Sequence, residues 1–241
     1  MSRQNPTMSP ELIEERLVDI PLFSVLEPDE RRALAERLMP RRILKSQAVF
    51  LQGDPGDEMY LLLEGRIRIG CESLTGREIT LDLLKDGGFF GEMALLDGEA
   101  RSATAMAEEP CQLLVLRRSD FQSFLKASPN AAVALLAFLS RRLRVANDKI
   151  QDLALLTVRQ RLAALLVDLA FKEGEPHAKG VLLGPSVSHK ALSGFLGTSR
   201  ETVSRMCSEL KDQGLIEQVG RRLLVCQVEG LREIFADAGV R

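Results

Sequence analysis

The sequence predicts an α+β chain in three parts. The first is an N-terminal β-barrel of jelly-roll type over residues 1–129. The second is one long helix over 130–157, and the third a winged helix-turn-helix over 158–241. Three observations carry this. From Arg41 to about Leu116, short apolar runs alternate with glycine-rich turns, as in a barrel or sandwich. Leu136, Leu139, Leu143, Ala146, Ile150, Leu153 and Thr157 then recur at alternating steps of three and four, a heptad seam. Finally, Ser188–Leu210 reads as two short helices around Gly197, with a hairpin after them.

The chain has 241 residues, 45% of them hydrophobic, and a net charge of −2. That is enough for one large or two ordinary packed domains. The charge is uneven. Residues 158–241 hold twelve Lys/Arg against ten Asp/Glu, leaving 20 against 24 for the rest. The basic end permits contact with nucleic acid. Cys71, Cys111, Cys207 and Cys226 have neither metal-knuckle nor disulfide-framework spacing. The N-terminus has no apolar signal core and no apolar run approaches a membrane span, so a cytoplasmic protein with reduced thiols is expected.

Ser9-Pro10-Glu11 marks a helix start, a cap followed by proline and acid. Leu12, Ile13, Leu17 and Ile20 form its apolar stripe, and Pro28–Leu38 repeats the theme with Leu34 and Leu38. Strands are expected near Ile43-Leu44, Ala48–Leu51, Met59–Leu63, Arg66–Ile69, Ile79–Leu84 and Cys111–Leu116. Gly53–Gly56, Glu64-Gly65, Thr75-Gly76 and Asp86–Gly88 supply turns. A small helix near Ser119–Lys126 closes the domain. The seam of the long helix spans about 30 Å and cannot be buried by the helix alone, so it predicts a parallel partner. Val158–Phe171 reads as another amphipathic helix. Lys172–Pro185 reads as a polar loop holding His177, with a short strand at Val181–Leu183.

The most informative run is Phe89–Ala105. Gly91 lets the backbone approach a ligand. Glu92-Met93-Ala94-Leu95-Leu96 makes one helical turn with free N–H groups. Arg101 offers a planar cationic fork that matches phosphate oxygens, and Ser102 a hydroxyl. Glu92 beside a phosphate makes sense if it accepts from a sugar hydroxyl, and phosphate with ribose describes a nucleotide.

In the C-terminal part, Ser188 caps the first helix of the pair and Gly197 makes the turn. Thr198 with Glu201 reads as a capping box for the second helix, and Leu192, Leu196, Val203, Met206 and Leu210 as its core. At about 100° per residue, Arg200, Glu201, Ser204 and Arg205 fall on the opposite face. Arginine suits guanine, and glutamate accepts from cytosine N4. Ser188, Lys190 and Ser199 lie near the same face. Gly214–Val225 reads as a wing with Arg221 and Arg222 at its tip for phosphate.

The run Phe90, Gly91, Glu92, Ala94, Leu95, Arg101, Ser102 resembles the phosphate-binding cassette of cyclic-nucleotide-binding domains. Gly53-Asp54 and Tyr60–Gly65 resemble that family's other strand signatures. Ser199–Arg205 is similar to the recognition helix of the cyclic-AMP receptor protein and fumarate–nitrate regulator family, and the chain order matches across residues 10–228. The resemblance implies a homodimeric transcription factor, not an enzyme, whose DNA-binding domains are repositioned by a cyclic nucleotide. Gly91, Glu92, Met93, Ala94, Arg101 and Ser102 would hold phosphate and ribose, and Arg142 would reach the same pocket. Arg200, Glu201 and Arg205 would read a palindrome of TGTGA-like half-sites about 34 Å apart, with RNA polymerase as a further partner. Where the bacterial cyclic-AMP receptor typically has Thr-Ser, this chain has Ala146-Asn147. Asn147 could meet adenine N6 or guanine O6, so cyclic AMP is the first expectation and cyclic GMP the second. Asn147 could instead fix helix register. A nucleotide-independent regulator of the same fold is the alternative. An iron–sulfur sensor is poorly supported with only Cys71 and Cys111 in the sensor half, and haem by the lack of histidine before His177. No catalytic triad, metal cluster or phosphate loop is found, so no metal, haem or iron–sulfur cluster is expected.

Overall fold

The structure, a computed structural model, describes residues 8–72, 78–185 and 187–236. The expected Thr75-Gly76 turn lies outside them. The chain divides into two compact units. One comprises residues 1–71 and 81–142, the other residues 72–80 and 143–241.

In the first unit, helices α1 (Pro10–Leu17) and α2 (Pro28–Ala35) precede the strands. Ser9 Oγ accepts from the Leu12 N–H at 3.4 Å, and Pro10 opens α1 where its missing N–H is harmless. Ile13, Leu17 and Ile20 are buried as expected, but Leu12 is exposed. α2 ends at Ala35 with Leu38 beyond it, still in the core.

β1 (Met39–Ile43), β8 (Cys111–Arg117), β3 (Glu58–Glu64) and β6 (Phe89–Phe90) form one antiparallel sheet. β2 (Ala48–Phe50), β7 (Thr104–Ala107), β4 (Ile67–Glu72) and β5 (Glu78–Leu84) form the other. Strand side chains alternate between faces, which explains the unbroken apolar run of β3. Tyr60 and Leu62 face the interior between the sheets, with Ile67, Ile69, Phe90 and Val115. Met59, Leu61 and Leu63 face the opposite way, onto a second cluster with α1, α2 and Phe121. Phe121 belongs to α4 (Arg118–Ala127). β7 was not foreseen. It is buried through Ala105 and Ala107, small residues that give little strand signal.

α5 runs from Pro129 to Leu155. Its first turns bury Ala131 and Leu135, while Leu136, Leu143, Ile150 and Leu153 are each at least 60% exposed. The seam is shorter than its spacing implied. Thr157 is not its last rung but the cap of α6 (Val158–Glu173). Thr157 Oγ1 accepts from the Gln160 N–H at 3.3 Å, and the Gln160 side chain accepts from the Thr157 N–H at 3.0 Å. This capping box stops one helix and starts the next.

In the second unit, α6, α7 (His189–Leu196), α8 (Arg200–Asp212) and α9 (Val228–Ala236) enclose one core. A four-stranded antiparallel sheet completes it, in the order β11 (Ile216–Val219), β12 (Arg222–Val225), β10 (Gly180–Leu182), β9 (Glu175–His177). The supposed loop around His177 is therefore a hairpin. His177 ends β9, exposed, and its Nδ1 accepts from the Lys179 N–H. Cys207 joins Val203 and Leu210 in the core, whereas Met206 is only half-buried. Among the described residues, no single helix is long and apolar enough to cross a membrane.

Candidate functional site

The cassette is built around a turn only glycine makes easily. Gly91 has φ +83°, and a Cβ there would meet Arg101 Nη1 at 2.8 Å. It opens α3 (Glu92–Asp97), a turn and a half of helix. Arg101 lies under it, 5% exposed. Its Nη1 donates to the Gly91 carbonyl at 2.8 Å and its Nη2 to the Glu58 carbonyl at 2.6 Å. The guanidinium lies 4.2 Å from the Phe50 ring centre, a cation–π contact that partly replaces water.

The Gly53–Gly56 signature has a role here. Gly53 N donates to the Arg101 carbonyl, and Arg101 N to the Asp54 carbonyl, each at 2.9 Å. A Cβ at Gly56 would meet Arg101 Cζ at 2.9 Å and Ala94 Cβ at 2.5 Å. Arg118, which the sequence did not single out, holds the same loop through the Gly56 carbonyl at 2.6 Å and Asp57 at 3.0 Å.

Glu92 is 1% exposed. Its Oε1 pairs with Arg142 Nη1 at 2.6 Å, while Oε2 is buried without a partner. Burial raises its pKa, with Arg142, a backbone N–H and Arg101 pulling the other way. Burial likewise draws the Arg101 pKa down, against Tyr60, Glu58 and Asp57. Arg101 Nε also lacks a partner. The Tyr60 hydroxyl donates to Glu58 at 2.9 Å, and burial pushes its pKa up to about 12. One carboxylate oxygen and one guanidinium N–H are thus desolvated and unpaired, which is costly unless a ligand completes them.

These groups line a cavity of about 40 Å³ with Phe50, Ile69, Phe90, Met93, Ala94, Ser102, Ala103 and Arg142. Gly91, Glu92, Met93, Ala94, Arg101, Ser102 and Arg142 are therefore brought together. Ser102 is exposed, its Oγ 3.8 Å from Met93 Sδ. Ala146 and Asn147 do not line this cavity. They follow Arg142 on α5 and are exposed. Among the described residues, no group of three or more His, Cys, Asp or Glu could hold a metal.

In the second unit, Ser188 caps α7, its Oγ accepting from Ala191 N–H at 3.2 Å. Gly197 follows with φ +63°. The cap of α8 is Ser199, not Thr198. Ser199 Oγ accepts from Thr202 N–H at 3.1 Å. Thr198 N–H is spent on the Ser193 carbonyl in the turn, so the helix starts one residue later than the sequence implied. Arg200, Glu201 and Arg205 are exposed along α8, with Ser204 half-buried beside them. A helix-start N–H and the Ser199 hydroxyl keep the Glu201 carboxyl below its usual range, so it is ionised near neutral pH.

Arg221 is exposed at the wing tip, but Arg222 is not free there. It opens β12 with Nε donating to the Leu183 carbonyl at 2.6 Å and its guanidinium paired with Glu175 at 2.8 Å. Arg222 is the first paired residue of the hairpin, opposite Val219, whereas Arg221 lies in the turn between them. Ser188, Lys190, Arg200 and Arg221 line a cavity of about 440 Å³ with Val187, His189, Gln218 and Leu223. His189 and Gln218 were not foreseen. Their only sequence signal is position, one after a cap and one before a turn.

Comparison with known proteins gives the two units their counterparts. Residues 40–128 match the cyclic nucleotide-binding domain, and residues 160–234 the Crp-like helix-turn-helix domain. The chain is 38% identical over 198 residues to the cyclic AMP receptor protein of Thermus thermophilus, covering 81% of this chain and 88% of that one. It is 30% identical over 176 residues to the cAMP-activated global transcriptional regulator CRP of Escherichia coli, covering 72% and 83%. A solved structure of the c-di-GMP-responsive global regulator CLP of Xanthomonas campestris is similar at TM-score 0.75 and 28% identity. That match covers 83% of this chain and 99% of the other. With a cyclic nucleotide-binding domain, a Crp-like helix-turn-helix and these relatives, the chain belongs to the cyclic-AMP receptor protein and fumarate–nitrate regulator family of transcriptional regulators.

Proposed function

We propose that this protein is a homodimeric, sequence-specific DNA-binding regulator controlled by a cyclic nucleotide, with cyclic AMP the first candidate and cyclic GMP the second. The observation that carries the ligand reading is that two residues lining one cavity, Glu92 and Arg101, each hold a buried polar atom without a partner, Oε2 and Nε. The first suits a ribose hydroxyl, which donates, and the second a phosphate oxygen, which accepts. Gly91, Met93, Ala94 and Ser102 frame the phosphate, and Arg142 closes the cavity from α5 through its ion pair with Glu92. Ala146 and Asn147 act only once the binding site extends further along α5.

The exposed stripe Leu136, Leu143, Ile150 and Leu153 supports pairing of α5 with a second copy. On DNA, Arg200, Glu201, Ser204 and Arg205 read TGTGA-like half-sites, while Ser188, Lys190 and Arg221 contact phosphates. Ser199 serves mainly as the cap of α8, and Arg222 braces the wing. RNA polymerase is the expected protein partner, in the cytoplasm. The relatives named for cyclic AMP support that ligand. The similarity to a c-di-GMP-responsive regulator makes the larger nucleotide the competing one.

Calorimetric titration with cyclic AMP, cyclic GMP and c-di-GMP in turn tests the reading. Saturable binding of a cyclic mononucleotide, lost in Arg101→Ala, is expected. Binding of c-di-GMP alone would overturn the ligand assignment. Binding of none would leave a nucleotide-independent regulator.

A further inference from the structure

The 440 Å³ cleft between α7, α8 and the wing carries a titratable group beside fixed charges. Lys190 from α7, Arg200 from α8 and Arg221 from the wing tip line it, and among the described residues no carboxylate does. His189, at the first position of α7, is half-buried in the same wall. Among the described residues, the charged groups that act on its protonation are positive. Lys211 and Arg200 approach from α8, and both disfavour its protonation. From β11 the same cavity is lined by neutral Gln218, whose side-chain amide donates to the Gly220 and Arg222 carbonyls and whose oxygen lies 3.5 Å from Lys211 Nζ. The nearby acid of β11, Glu217, is turned to Lys179 at 3.2 Å.

We propose that His189 is a proton-dependent phosphate contact, so that DNA binding by this protein tightens as pH falls. The proposal rests on the DNA-binding reading of this face. A cleft of one sign with apolar walls concentrates anions, and the anion a helix-turn-helix meets is the DNA phosphate. While the cleft is empty, burial first, then Lys211 and Arg200, hold the His189 pKa below its ordinary value of 6.5. The imidazole is then neutral at physiological pH. A phosphate seated among Lys190, Arg200 and Arg221 reverses the balance, because the imidazolium gains a partner and donates to it. The bound pKa therefore lies above the free one. Affinity rises as pH falls through that interval and levels off below the free pKa, with one proton taken up per half-site.

The test is fluorescence anisotropy of the full-length protein on a labelled duplex carrying two TGTGA half-sites. It is run from about pH 8 to about pH 5.5 at constant ionic strength, with and without cyclic AMP. The comparison is with His189→Gln, which stays neutral, and His189→Arg, which stays charged. The wild type is expected to gain about three- to tenfold in affinity per half-site as pH falls. Its salt slope should steepen by about 0.9 for each phosphate newly neutralised. His189→Gln is expected to be weak with little pH response, and His189→Arg tight with little. A wild-type pH profile no steeper than that of either variant overturns the proposal and leaves the DNA reading standing. Failure of all three proteins to bind the duplex at any pH overturns the DNA reading, and the proposal with it.

Discussion

Arg101 is a cation held where cations are ordinarily disfavoured. Two backbone carbonyls and the Phe50 ring keep it in place while burial lowers its pKa. Desolvation also makes each of its remaining N–H groups a strong donor for an anion. Arg101→Ala is therefore expected to abolish nucleotide binding while leaving the oligomeric state unchanged, checked by calorimetry beside sedimentation velocity. Unchanged nucleotide affinity would remove Arg101 from the phosphate site. Arg222 makes the contrasting case. It is as charged as Arg221 but ties β12 to Glu175 and to the Leu183 carbonyl. Arg222→Ala should lower stability by about 1–3 kcal/mol, read by urea denaturation. Arg221→Ala should leave stability near wild type and weaken binding to every DNA sequence alike.

Among the elements, α5 presents the least satisfied surface. Leu143 and Ile150 lie seven residues apart on one side, each 63% exposed. An isolated chain leaves this stripe in water, which a helix partner would relieve. Replacing both with Glu is expected to yield monomers in analytical ultracentrifugation, and dimers persisting at wild-type affinity would show that the stripe serves something else. Much of this level was legible in the sequence, because caps, heptads and alternation are local. Ser9 capped α1 where expected, and β3 buries both its faces, as five successive apolar residues imply. What depended on distance or register was not readable locally. Glu92 and Arg142 are fifty positions apart, and only the family resemblance, not any local pattern, put Arg142 in the same pocket. β9 is Glu-Pro-His, exposed throughout, with no burial pattern to betray a strand. Which of two adjacent serine and threonine residues caps α8 was decided by the turn at Gly197, and which arginine faced outward by the pairing of Val219 with Arg222.

For the whole molecule, among the described residues, the apolar clusters of the barrel share no residue with that of the winged helix-turn-helix. Ligand bound to one folded unit stabilises that unit by mass action. Scanning calorimetry should therefore resolve two transitions, with cyclic AMP at about 100 Kd adding about 2.7 kcal/mol to the barrel's alone. A single transition displaced as a whole would mean the units melt as one. The cavity also sets a condition on binding. At about 40 Å³ it falls far short of the roughly 300 Å³ at which ligand pockets begin, so Arg142 or Met93 must yield before a nucleotide enters. The capping box at Thr157 has a consequence for inheritance and engineering. A segment that brings its own start signal, and a core drawn from Leu162 to Leu231, is a portable cassette. Grafted after another helix, it would begin folding at its own first turn, whatever sensor stood upstream.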